Sequence, residues 1–269
     1  MCIMASPVRS VSDTRIFVGT EPKGLLQLTV YQMAVELSNR TGKGNAMVLP
    51  VPVGTMGAGT IQLVDLSGIP DFFDSFVEAF IERSRGMTKG ISMDLDDDLE
   101  VQKVGNYDVS VVPSVDDVKR LNRNVFEVSP DTEALLRAEY PVGFAFLVAQ
   151  LRNSGEFHPL AYVSPVIGGK MFIPTRHAHG RGESVDQARW DHLIFYRGEK
   201  AIDVLPRAQR NVAFRKTLGG SAADRCLSAV YRDTRDAVPV LIPYLGAGLV
   251  LNQVKAEGLL ANIDLTVSA

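Results

Sequence analysis

Apolar residues recur at every second position through LQLTVYQMAVEL, residues 26–37, and that period of two restricts the segment to a pleated strand. Leu26, Leu28 and Val30 alternate with Gln27 and Thr29. The phase then flips, and Tyr31, Met33, Val35 and Leu37 alternate with Gln32 and Glu36. A one-residue phase change inside one strand predicts a β-bulge after Val30. SNRTGKGN then turns the chain into NAMVLPVPV, and the glycine-rich GTMGAGT (Gly54–Thr60) turns it into TIQLVDL. The expectation is an antiparallel meander with GTMGAGT as a hairpin loop. That loop lacks the Gly-Lys-Ser/Thr ending and the following helix of a phosphate loop.

Helices are fewer and carry their own start signals. In PDFFDSFVEAFIERSR, Phe72, Phe76 and Phe80 recur four residues apart beside Phe73, Val77 and Ile81, and Pro70 suits a helix start. Ser114 followed by Asp117 has capping-box spacing, Ser129-Pro130 opens DTEALLRAEY, and Ser221 with Asp224 precedes RCLSAVYR, which holds Cys226 and Val230. Further strands are expected at YDVSVV, VGFAFLVAQL, PLAYVSPV, KMFIP, DHLIFY, KAIDVL, VPVLI and NIDLTV. Strands in adjacent groups, without strict strand–helix alternation, predict an α+β fold of mostly antiparallel sheet with a few packed amphipathic helices. The 269 residues form one domain on this reading, with possible subregions 1–86 and 99–269 and a seam in the loop 87–98.

The opening strands bear a resemblance to a family. A Cys-led strand, TRIFVG, a long strand, NAMVLPVPV, an amphipathic helix and GNYDVSVV together resemble an uncharacterised bacterial domain family with an N-terminal cysteine strand and a V-L-P-V-P strand. The resemblance covers the first half of the chain and implies a similar β-rich scaffold, but no activity.

Charge and composition remove several classes of function. A net charge of −3 with no basic run excludes the electrostatic footprint of a nucleic-acid binder. MCIMASPVRSVSDTR lacks the basic and apolar regions of a signal peptide, and 238–254, the longest uncharged run, is broken by prolines and glycines, so no membrane span is expected. Two cysteines, Cys2 and Cys226, fit a reducing cytoplasm.

Two sites with chemistry stand out, and the histidines form the first. All four lie between His158 and His192. His177 and His179 share a face if PTRHAHG is a strand, and DHLIFY would add His192 by pairing with KMFIPTRH as a hairpin. The spacing His177-x-His179-x3-Glu183 is similar to the first metal motif of cupins, which implies ligand roles for those three residues. The flanking glycines and the second cupin motif are missing, so the cupin fold itself is not expected. The reading is a metal-dependent, hydrolase-like site for zinc or iron. It uses His177, His179 and His192, with Glu183 or Asp191 as further ligand or orienter, and Arg176, Arg181 and Arg189 would attract a small anionic substrate.

Cys2 is the second site, since removal of Met1 would expose an N-terminal nucleophile whose own amine serves as base, as in amidohydrolases, with Asn45 a conceivable oxyanion donor. The acidic run around Asp94, Asp96, Asp98 and Glu100 reads as a solvated loop, because the EF-hand spacing is absent. The remaining alternative is a non-catalytic binding or assembly protein in which none of these groups reacts.

Overall fold

The computed structural model describes residues 3–38, 45–80, 100–179, 186–198, 202, 213–218, 230, 238–245 and 250–269. Expected features that fall elsewhere lie outside the described residues. These are Cys2, the loop 87–98 with most of its acidic run, most of KAIDVL, Cys226 with the start of its helix, and Arg181 and Glu183.

Strands dominate, and nearly all pairings are antiparallel. One sheet has five strands in the order β1 (Ile3–Met4), β4 (Asn45–Pro52), β8 (Phe144–Leu151), β7 (Tyr107–Val112) and β6 (Gln102–Val104). The larger sheet runs β13 (Ala213–Leu218), β14 (Leu251–Ala261), β12 (Gln187–Arg197), β2 (Val8–Thr20), β3 (Leu26–Leu37), β10 (Leu160–Pro165) and β5 (Gln62–Asp65), with β9 (Gly155–Glu156) added to β3. Among the described strands β12 and β2 pair in parallel, and a single parallel bridge joins Ile3 to Ala178. A third, two-stranded ribbon joins β11 (Lys170–Ile173) to β15 (Leu265–Ser268). Both large sheets combine strands from either side of residues 87–98.

The order of layers explains the apolar patterning. Tyr31, Met33 and Val35 of β3, Ile16 and Val18 of β2 and Ile194 of β12 meet Met47, Leu49, Leu147 and Ala149 of the five-stranded sheet in one core between the sheets. The outer face of the five-stranded sheet buries Val48, Phe146 and Val148 under α2 (Pro130–Glu139) and the 3-10 turn Val115–Arg120. The outer face of the larger sheet buries Phe17, Leu28, Val30 and Phe195 under α1 (Asp74–Phe80) and the segment around Leu241 and Tyr244. Each sheet is therefore covered on both sides at its centre, while the outer face of the larger sheet stays open where Arg189, Lys255, Glu257 and Leu259 are exposed. The Phe76 ring lies 5.1 Å from that of Phe17 and 5.3 Å from that of Phe195, which knits α1 to the sheet.

This layering corrects four expectations. The phase change in β3 is not a bulge, because its register with β10 runs unbroken from Leu26↔Pro165 to Tyr31↔Leu160. Leu28 and Val30 face the outer core, whereas Tyr31, Met33 and Val35 face the core between the sheets. A strand covered on both sides shows whichever side is locally more apolar. On the inner face, Gln27 and Thr29 are buried but bonded. Gln27 donates to Thr29 Oγ1 and the Phe172 carbonyl at 2.7 Å each and accepts from the Phe172 amide at 2.8 Å, fastening β11 to β3.

The meander is also absent, since β3 and β5 belong to one sheet and β4 to the other, and Gly54–Thr60 crosses between sheets as a turn that ends in a 3-10 segment (Ala58–Thr60). Pro50 and Pro52 are tolerated in β4 because β1 pairs only at Met47 and Val48, leaving that edge without a partner strand farther on. VPVLI is a 3-10 turn (Pro239–Leu241) running into the short helix Ile242–Leu245; its prolines deny a ladder and its apolar residues cap the larger sheet. KMFIP pairs with NIDLTV and not with DHLIFY.

The other helix signals fare unevenly: α1 begins at Asp74, four residues after Pro70, and the Ser221–Asp224 start lies outside the described residues. Ser129 caps α2 by accepting from the Thr132 amide at 3.1 Å. Ser114 donates to Asp117 at 2.7 Å and starts a 3-10 turn. No helix among the described residues is long and apolar enough to cross a membrane.

Phe76 lies at the centre of the outer aromatic cluster. Phe76→Ala should cost about 3–5 kcal/mol of unfolding free energy, measured by chemical denaturation. A loss under about 1 kcal/mol would mean that α1 does not pack on the sheet as described.

Candidate functional site

Residues 174–179 are held in place by the last strand region. Asn262 accepts from the His177 amide at 2.6 Å and donates to the His177 carbonyl at 2.8 Å, a two-point clasp. Asp264 accepts from the Thr175 and Arg176 amides at 2.8 and 2.9 Å, and its other oxygen accepts from the Tyr140 hydroxyl at 2.6 Å. Thr175 donates to the Ile263 carbonyl at 2.9 Å. The segment then meets β1 and β2. Met4 donates to the Ala178 carbonyl at 2.8 Å, and Val8 donates to that of His179 at 2.9 Å.

These anchors set His177 inward, where it meets β12. Ala188, Trp190, His192, Ile194 and Tyr196 alternate onto the buried face of that strand. The ring centres of His177 and His179 are 4.7 Å apart, as are those of His177 and His192 and those of Trp190 and His192. His177 is 4% exposed and His192 fully enclosed. The structure thus brings the three predicted imidazoles together, although through the parallel β12–β2 pairing and the Asn262 clasp, without the expected hairpin.

The metal and hydrolase reading does not survive this geometry. Among the described residues no three His, Cys, Asp or Glu side chains converge so as to hold an ion. Nδ1 of His177 and Nε2 of His179 lie 3.2 Å apart in a hydrogen bond, which joins the two rings to each other. His192 offers neither ring nitrogen to a hydrogen-bonding partner, and its approach to Asp191 is 3.6 Å, too long for a hydrogen bond. Asp191 alternates with His192 along β12 and lines the outside of the strand. Glu183 lies outside the described residues. His177, His179, His192 and Trp190 therefore form an aromatic and polar cluster, not a metal centre, and Asp191 stands outside it.

Burial keeps His177 and His192 neutral. It pushes the His177 imidazole down to about 2, with His179 adding repulsion, and drives His192 well below the ordinary histidine range for the same first reason. His158 is also lowered by burial. Its Nε2 accepts from the Asn106 amide at 2.8 Å over Gly105, whose backbone is left-handed and whose place no side chain can take, because a Cβ there would meet the His158 ring at 2.5 Å.

The arginines divide. Arg176 pairs with Glu139 at 2.7 Å in a largely buried bridge, so it secures α2 to PTRHAHG and does not face a ligand. Arg189 is exposed on the rim of a cleft beside His179 and Trp190. Asn45 uses its side chain structurally, accepting from the Ser6 amide at 2.9 Å and donating to its carbonyl at 2.6 Å. Sequence reading missed Asn262 and Asp264, although the polar pair in NIDLTV, beside an apolar run, was the available signal.

No family model matches the chain. The crystal structure of baculovirus P35 is similar over 100% of this chain and 99% of its own, at 12% identity and a TM-score of 0.48. The caspase-8/P35 complex is similar over 96% of each chain, at 10% identity and a TM-score of 0.43. A mutated baculovirus P35 after caspase cleavage is similar over 96% of this chain and 100% of its own, at 10% identity and a TM-score of 0.47.

The buried histidines make stability depend on pH. His177 and His192 stay neutral when folded but charge near pH 6.5 once unfolded, so their contribution is complete above that value and is lost as pH falls below it toward their depressed folded values. Each adds a slope of about 1.4 kcal/mol per pH unit in that window. His192→Leu, which removes the enclosed unpaired nitrogens, should leave stability at neutral pH unchanged or raised and remove one histidine's share of the slope, read by urea denaturation from pH 7 to 5. A large loss at neutral pH with the slope intact would contradict this account.

Proposed function

We propose that the chain is a non-catalytic binding protein, an α+β scaffold of the cytoplasm that presents a fixed apolar surface to a protein partner. The observation that carries this reading is the turn joining β2 to β3. The Glu21 carboxylate accepts from the amides of Lys23, Leu25 and Leu26, and its backbone carbonyl accepts from Gly24 at 2.9 Å. These bonds hold its carboxyl below the usual carboxylate range, with the Lys23 amide foremost. The turn so fixed keeps Leu25 64% exposed.

Other apolar tips share this end of the molecule. Val166 donates to the Leu25 carbonyl at 2.8 Å, and the Gly143 carbonyl accepts from Val53 and Gly54, beside exposed Val142 and Met56. A Cβ at Gly54 would lie 3.2 Å from Ile167 Cδ1, so the four loops are neighbours. Apolar side chains held in a preset arrangement lose little entropy on docking, which suits a folded protein surface. A net charge of −3, with Glu21 in the patch, opposes an anionic lipid surface.

A photo-crosslinking residue at Val142 and, separately, at Met56 should capture the same protein, and Leu25→Ser should weaken both captures about tenfold while leaving thermal stability unchanged. A caspase, named beside P35 in one solved complex, is one purified candidate for that assay. Captures that differ between the two positions, or that persist unchanged in Leu25→Ser, would contradict the proposal.

A further inference from the structure

The larger sheet splits at one point, and the split makes a cleft. β2 and β12 pair only from Arg15↔Leu193 to Val18↔Tyr196. Just before Arg15, Asp13 and Thr14 bulge opposite Met33 alone, with Asp13 in the left-handed region at φ 53°. Before the bulge β2 stays with β3, as in Val11↔Val35, whereas β12 stays with β14, as in Trp190↔Gly258. The two strands diverge, leaving a cleft of about 640 Å³ at the end of the molecule remote from the Leu25 turn. That volume falls in the range of small-molecule sites.

The cleft has mixed walls, with Val8 and Val11 beside Ser10 and His179, Asp191 and Glu257 along it, and Arg189 at one edge. Val8 and Val11 form one wall, and Trp190, only 2% exposed, lies at the floor with its indole N–H unpartnered. Most of the charged side chains along it are engaged. Arg9 pairs with Glu36 at 2.8 Å, Glu257 with Lys255 at 2.7 Å, and Asp191 accepts from the Asp13 main chain. Arg189 is the lining cation without an ion pair among the described residues.

We propose that this cleft binds a small organic anion with an apolar body, its acid group on Arg189 and its body against Val8, Val11 and the edge of Trp190. A planar guanidinium suits a carboxylate or phosphate oxygen pair, and the indole supplies an aromatic edge. This site is independent of the partner surface at Leu25.

Trp190 is the only tryptophan of the chain, so tryptophan fluorescence reports the cleft floor and the histidines packed behind it. The probe is phenyl phosphate, with benzylamine and inorganic phosphate as controls. Phenyl phosphate should change Trp190 emission saturably with a dissociation constant on the order of 1 mM or tighter. Benzylamine and inorganic phosphate should each bind at least about tenfold more weakly, as should phenyl phosphate to Arg189→Gln, with Arg189→Lys intermediate. Arg189 is exposed, so the Gln variant should unfold at the wild-type temperature. No saturable change with phenyl phosphate, an equal response to benzylamine, or an unaltered constant in Arg189→Gln would each overturn the proposal.

Discussion

Burial of both faces at the centre of both sheets is the constraint on which the rest of the molecule depends. Two sheets pressed together would each leave an apolar outer face in water. Here α2 with its neighbouring 3-10 turn covers one, and α1 with the Leu241–Tyr244 segment covers the other. Strands so enclosed have no polar face to mark their orientation. Side chains with polar atoms that fall inside must find partners there, as Gln27 does with Phe172 and Asn262 with His177, or stay neutral and unpaired, as His192 does.

That constraint explains what was legible in the sequence. Local signals survive where a terminus or turn sets the structure, so the Ser129-Pro130 start of α2 and the phenylalanine spacing of α1 read correctly. Strand existence read well too, because β-branched and aromatic runs remain visible in an enclosed sheet. Partners did not. β3 and β4 follow one another in sequence but enter different sheets, and periodicity carries no record of which sheet receives a strand. VPVLI misled because apolar β-branched residues serve equally to cap a sheet from a helical turn. β14, the longest partner of β12, escaped notice because Lys255 and Glu257 break its apolar run.

The histidine segment shows the same limit at the level of a site. Spacing in PTRHAHG and its distance from DHLIFY pointed to a cluster, and the three rings do meet. Their chemistry depends on long-range features with no local mark. Asn262 sets the inward direction of His177, and the parallel pairing of Leu193 with Arg15 sets the depth of His192. Both place imidazoles where a charge is costly, so a pattern that resembles ligation becomes part of the core. The same pairing, ending at the Asp13 bulge, opens the cleft beside Arg189. One strand divergence thus separates a buried histidine cluster from a surface able to meet a ligand.

The central claim is that His177 and His192 are neutral core residues. Nitrogen-15 NMR of the imidazole rings tests it most directly. Both rings should show neutral shifts at about pH 5, where an unperturbed histidine is almost fully charged, and should not move when zinc is added. Charged shifts for either ring at that pH, or displacement of His177, His179 and His192 together by stoichiometric zinc, would contradict the account.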